Sequence, residues 1–203
     1  MFFDLTGALV SLISTYYFIR LNNKAWAFGI IATLLNGWLY WHKGIYADML
    51  LEFFYFLSMC YGWYKWQDKA PENIHAAHTS LGYLRPLQWI SLCAALCMLF
   101  LFIYYFLLTA THSAVAFQDA ATTSLSLVAQ WLMCHKIIVT WVLWFITDAL
   151  YATMYLGKNL PFHGILMVIY TGMAVAGYLV WARQNKKPDS SPANIKIPVS
   201  SQV

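Results

Sequence analysis

Trp141, Trp144, Asp148, Tyr151 and Tyr155 follow one another at intervals of three, four, three and four within one apolar stretch. That spacing returns to the same side of an α-helix each time, so the five side chains share a face. Aromatic rings around a single carboxylate can stack on a flat ring and pair with a cation or a hydrogen-bond donor. The stretch is long and greasy enough to lie in a bilayer, where a carboxylate is costly and is by default functional. The chemistry this implies is reversible binding of a small flat solute on a path through a membrane.

The elements that must hold such a face are membrane helices. Of the 203 residues, 61% are apolar and 10% charged, against about 25% charged in soluble domains; mean hydropathy is +0.58. Apolar stretches near the ~20-residue spanning length fall at 4–20, 25–42, 46–66, 87–109, 119–135, 138–157 and 162–183. The fifth is the weakest, because Ala121-Thr122-Thr123-Ser124-Leu125-Ser126 is polar for a lipid-facing helix. Basic residues decide in its favour. Seven spans put Arg20, Lys24, Lys65, Lys69, Arg85, Lys136, Arg183, Lys186, Lys187 and Lys196 on one side and leave only Lys43 and Lys158 on the other. That bias fits the positive-inside rule, with the N-terminus outside and the C-terminus inside; six spans would split the charges evenly. Met1-Phe2-Phe3-Asp4 lacks a basic n-region, so the first span is expected to be retained rather than removed as a signal peptide. The tail from 184 to 203 reads as a disordered cytoplasmic end.

A shift of 115 positions lays the chain on itself without a gap. Trp26 falls on Trp141, Leu35 on Leu150, Tyr40 on Tyr155, Tyr55 on Tyr170, Gly62 on Gly177 and Trp66 on Trp181, while Ser11-Leu12 falls on Ser126-Leu127. The expected organisation is a first three-helix repeat (1–66), a cytoplasmic loop (67–86), a linker helix (87–109) and a second three-helix repeat (119–183), giving an all-α integral membrane protein of seven transmembrane helices. Three crossings plus one make four, so the two repeats point the same way, a known transporter plan with substrate near the midplane. The opening stripe has counterparts: Trp26, Gly29, Thr33, Asn36 and Tyr40; Glu52, Tyr55, Met59, Gly62 and Trp66; Met167, Tyr170, Ala174, Gly177 and Trp181. Glu52, Asn36 and Asp148 are the polar groups on these faces. Trp66 and Trp181, at helix ends, read as interfacial anchors.

The segment from Tyr46-Ala47-Asp48-Met49-Leu50-Leu51-Glu52-Phe53-Phe54-Tyr55 to Tyr61-Gly62-Trp63-Tyr64-Lys65-Trp66 resembles the signature of PnuC-type nicotinamide riboside transporters. So does Trp144-Phe145-Ile146-Thr147-Asp148, followed by Gly177-Tyr178 and Trp181. The resemblance implies a SWEET-like 3+1+3 carrier of the bacterial inner membrane, working by facilitated diffusion with trapping by a cytoplasmic kinase. It places substrate contacts at Trp144 and Asp148, and at Glu52, Tyr55 and the Ser58-Met59 region; with the stripes, the candidate set is Trp144, Asp148, Tyr151, Asn36, Glu52, Tyr55, Ser58 and Tyr170. The family often carries Gln where Glu52 stands and Asn near Met59. The extra acid suits nicotinamide riboside and equally thiamine, which some members carry.

Other classes fit less well. His42, His75, His78, His112, His135 and His163 are scattered rather than clustered, which disfavours a membrane enzyme, and His75 and His78 are too few for a metal site. No Walker motif is present, and no lysine stands deep in the last span for a retinal-type chromophore. A membrane scaffold would explain the rings but not Asp148. Cys60, Cys93, Cys97 and Cys134 are expected as small buried hydrophobes. No cofactor and no metal are expected; the partners are a small-molecule substrate and the lipid bilayer, not nucleic acid, with homo-oligomerisation left open.

Overall fold

The computed structural model describes residues 2–42, 44, 46–67, 81–110, 116–157 and 161–186. Lys43, Lys158, His75, His78, His112 and the tail beyond Lys186 lie outside them. The described residues form seven helices: α1 (Phe2–Ile19), α2 (Lys24–His42), α3 (Tyr46–Gln67), α4 (Pro86–Ala110), α5 (Ala116–Cys134), α6 (Thr140–Gly157) and α7 (Pro161–Lys186). At 1.5 Å per residue their lengths run from about 27 to 39 Å, comparable to a hydrocarbon core of about 30 Å.

The helix ends have local causes. α4 and α7 begin on proline, whose missing N–H is not needed there, and the Gln88 side chain accepts the Arg85 N–H at 2.8 Å. α1 closes with Asn22 N–H on Tyr17 O and Leu21 N–H on Phe18 O, with Leu21 at φ 52. α5 closes identically, with Ile137 N–H on Leu132 O and Lys136 N–H on Met133 O, and Lys136 at φ 55. Both are Schellman ends built without the usual glycine. Leu21 and Lys136 stand 115 positions apart.

α1 packs on α2 and α2 on α3; α5 packs on α6 and α6 on α7. The two triplets meet along two seams, α3 against α5 and α1 against α7, and the 115-position shift carries one seam onto the other. Among the described residues the backbone of α4 lies against α5. Its window Pro86–Thr109 has a mean hydropathy of 2.4 with none of it buried in the protein. Only α4 and Gly164–Asn185 of α7 are long and apolar enough to cross a membrane by composition, among the described residues. The described apolar run of α1, Leu5–Ile19, falls short in length, and α5 spends positions on buried polar residues, Thr122, Ser124, Ser126 and Gln130. The polarity that made it look the weakest span is buried within the protein, with Ser126 and Gln130 on the cavity and Thr122 and Ser124 packed away from it.

One end of the bundle is plugged. Phe18, Trp26, Trp66, Met133, Trp141 and Trp181 pack into a single cluster with Leu81 from the α3–α4 connection. Trp66 and Trp181, expected as interfacial anchors, are 4% and 0% exposed. They turn inward because each indole N–H finds an acceptor across a seam: Trp66 Nε1 donates to Cys134 O at 3.2 Å, and Trp181 Nε1 to Phe18 O at 3.1 Å. Trp26 meets Trp66 edge-on at 5.2 Å, and Trp141 meets Trp181 at 5.4 Å. Gly82 pairs with the α5–α6 turn on both sides, its N–H on Lys136 O and its carbonyl accepting from Ile138 N–H. The expectation of four buried cysteines fails for three: Cys60, Cys93 and Cys97 are exposed on outward faces, and only Cys134 is buried.

A Cβ at Gly62 would fall on the Trp26 ring, and one at Gly177 on the Trp141 ring. Overpacking of that kind costs about 1–3 kcal/mol per site. Gly62→Ala and Gly177→Ala are therefore each expected to lower the thermal unfolding midpoint in micelles, while Gly172→Ala, inside α7 with open space around it, is expected to hold or raise it.

Candidate functional site

Between the triplets lies a cavity of about 270 Å³, walled by α1, α2, α3, α5, α6 and α7. The 115-position shift maps one wall onto the other, Ser14 and Trp141 excepted. Some pairs are identical. The Tyr55 hydroxyl donates to Ser126 Oγ at 2.6 Å across one seam, and Tyr170 is hydrogen-bonded to Ser11 across the other. The serines sit where the helical spacing puts Ser11 and Thr15 of α1, and Ser126 and Gln130 of α5, one turn apart on the inward face.

Other pairs differ, and they give the cavity its chemistry. Thr33 stands where the second triplet has Asp148, Glu52 where it has Met167, and Asn36 where it has Tyr151. Thr33 is satisfied within its own helix, donating to Ile30 O at 2.9 Å. Asn36 Nδ2 donates to Glu52 Oε1 at 3.3 Å. Tyr151 is hydrogen-bonded to Thr122. Asp148 is 8% exposed, and no hydrogen bond or ion pair to it is formed among the described residues. It lines the cavity one turn from Trp144. No lysine, arginine or histidine lines the cavity, so two carboxylates and several rings face it without a basic counterpart inside. A buried carboxylate with nothing to compensate it calls for a partner from outside.

Of the expected residues, Trp144, Asp148, Tyr151, Asn36, Glu52, Tyr55 and Tyr170 are brought together around this one cavity. Ser58 is not. Its hydroxyl donates to Tyr55 O at 2.8 Å, and its carbonyl accepts from Cys134 Sγ at 3.5 Å, so it belongs to the seam behind the wall. Met59, its neighbour, lines the cavity instead. Tyr155 stacks on Tyr151 at 5.9 Å without reaching the lining. Sequence reasoning missed Thr15, Gln130 and Thr147 as lining residues. Thr15 and Gln130 are a pair at the offset, and extending the stripes to α1 and α5 would have found them. Among the described residues no group of three His, Cys, Asp or Glu is placed to hold a metal ion.

A seven-helix bundle holding a ring-lined acidic chamber between two matched triplets, with one end plugged, is the architecture of a solute carrier. The chain belongs to the nicotinamide mononucleotide transporter family, whose profile matches residues 1–183; it is a transporter and not an enzyme. It is 25% identical over 187 residues to the nicotinamide riboside transporter PnuC of Escherichia coli (strain K12), covering 80% of this chain and 77% of that protein. The same figures hold for the nicotinamide riboside transporter PnuC of Shigella flexneri. Its fold resembles a solved structure described as the vitamin B3 transporter PnuC, with a TM-score of 0.74 and 21% identity over 91% of this chain and 82% of that one.

Proposed function

We propose that the protein carries nicotinamide riboside inward across the bacterial inner membrane, and that the cavity between the triplets is its binding site. The observation that carries this reading is Asp148: a buried carboxylate without an internal partner, one helical turn from the Trp144 indole. A positively charged pyridinium ring stacked on Trp144 would gain about 0.5–2 kcal/mol by cation–π attraction, with Asp148 neutralising its charge. Asn36, Glu52 and the tyrosine hydroxyls would take the ribose and amide edges. Micromolar binding needs only about 8 kcal/mol in all, and a carrier must also release. The names of the relatives at 25% identity support the same substrate.

In this reading all seven helices span the membrane, and residues 1–66 and 119–183 are parallel repeats joined by the 87–109 linker. The N-terminus is periplasmic and the C-terminus cytoplasmic. The plug of Trp26, Trp66, Trp141 and Trp181 closes the inner mouth, and rocking of one triplet against the other opens it, the rigid-body alternation general to repeat-built carriers. Two features of the plug suit an element that rearranges: Trp26 Nε1 and Trp141 Nε1 are buried without acceptors, each costing about 1–3 kcal/mol. Transport is facilitated diffusion, drawn inward by a cytoplasmic kinase that phosphorylates the product.

A second reading, thiamine as substrate, is favoured by Glu52, which adds a second acid to the cavity and selects for cations generally. Uptake of labelled nicotinamide riboside, thiamine and riboflavin in cells lacking their own carriers separates the two. Accumulation of nicotinamide riboside is the expected result, and retention of thiamine alone would overturn the preferred substrate.

A further inference from the structure

The 115-position shift pairs lining residues of one triplet with lining residues of the other, and two of these pairs are inverted in bulk. Trp144 on α6 corresponds to Gly29 on α2, while Ala174 on α7 corresponds to Met59 on α3. The second triplet takes its large group from its middle helix and the small one from its last. The first triplet does the reverse. The room left by Gly29 is filled by the methionine: a Cβ built on Gly29 would lie 2.7 Å from Met59 Sδ and 3.2 Å from Ser14 Oγ. The thioether thus occupies the place that corresponds to the Trp144 indole. Gln130 on α5 steadies it, Nε2 donating to Met59 Sδ at 3.6 Å.

We propose that Met59 and Trp144 form a two-sided clamp, thioether on one face and indole on the other, that grips the aromatic ring of the carried solute and limits its width. This rests on the reading of the cavity as the site for a single-ring cationic nucleoside. The chemistry of the two jaws is complementary. The indole attracts a ring cation, and a polarisable sulfur makes favourable contact with an aromatic edge or face. Methionine has three rotatable bonds, so this jaw can follow the ring as the triplets move, where a β-branched residue would be fixed. Gly29 is part of the device, because any side chain there would displace the thioether from the place it fills.

The test is calorimetric binding to the purified full-length protein in lipid nanodiscs. The probes are nicotinamide riboside, thiamine and a quinolinium riboside whose base carries a second fused ring. Met59→Ala is expected to weaken nicotinamide riboside binding about three- to tenfold, the range of a sulfur–aromatic contact with the loss of packing around it. The wider ligand is expected to hold or gain, so the ratio of the two affinities moves about tenfold. Met59→Leu, which keeps the bulk, stays within about threefold of the parent. Gly29→Ala is expected to weaken both ligands, and adding Met59→Ala to it to restore them. A ratio of affinities does not depend on the fraction of folded protein, so poor folding cannot imitate this result. An unchanged ratio in Met59→Ala overturns the clamp and leaves the carrier reading intact. Parent protein that binds neither nicotinamide riboside nor thiamine overturns the substrate reading, and the clamp falls with it.

Discussion

Asp148→Leu is expected to reduce uptake of the cationic substrate by about 30- to 4,000-fold while making the protein harder to unfold. The first effect follows from removing one partner of a buried charge pair, which costs about 2–5 kcal/mol in the complex. The second follows from the empty protein, where the carboxyl group is 8% exposed and has no hydrogen-bond partner among the described residues. Replacing a little-exposed carboxylate that has no hydrogen-bond partner among the described residues by an apolar group removes its desolvation cost, so the empty protein is expected to gain stability. Opposite signs in the two measurements mark a binding residue. Asp148→Asn keeps the shape and loses the charge, so it is expected to fall between parent and Leu for a cation. Uptake by initial rate and thermal unfolding of the purified protein check both arms. Undiminished uptake in Asp148→Leu would remove the residue from the transport route.

The double variant Trp66→Phe, Trp181→Phe is expected to expose the inner plug. Phenylalanine keeps an aromatic ring edge-on to Trp26 and Trp141 but removes both indole donors, and with them the bonds to Cys134 O and Phe18 O that tie each triplet to the other. Two neutral hydrogen bonds at about 0.5–1.5 kcal/mol each amount to a shift of about five- to 150-fold between closed and open populations. Cys134 supplies the readout, being 1% exposed at the plug. With Cys60, Cys93 and Cys97 replaced by serine, the labelling rate of Cys134 by a membrane-permeant maleimide should rise by about tenfold or more. Each single variant should give an intermediate rate, because the two bonds sit on equivalent seams. Labelling as slow as in the parent would mean that the seam bonds do not hold the plug shut.

Much of the site was legible because helical periodicity is a strong signal in a chain this apolar. The stripes Trp144-Asp148-Tyr151, Gly29-Thr33-Asn36 and Glu52-Tyr55-Met59 are on the page as intervals of three and four, and each reaches the cavity. Ser58 enters the candidate set through the resemblance, although the three-four stripe runs through its neighbour Met59. Trp66 and Trp181 look like interfacial anchors until the carbonyl ends of α5 and α1 are brought beside them. Thr15 and Gln130 are missed when the stripes are not extended to α1 and α5, and Thr147 because it lies beside the stripe through Asp148.

Composition and spacing alone determined the seven helices and the coincidence at 115 positions, because these depend on local periodicity and on the order of residue types along the chain; the family was legible only through the resemblance of two segments to a known signature. Only the tertiary structure decided which rings face the chamber and which plug its end. It also decided that Asp148 is left without a partner and that Met59 fills the space beside Gly29. Those facts depend on contacts between residues 30 to 163 positions apart, across seams whose register is set by side-chain packing, and no single helix carries that register.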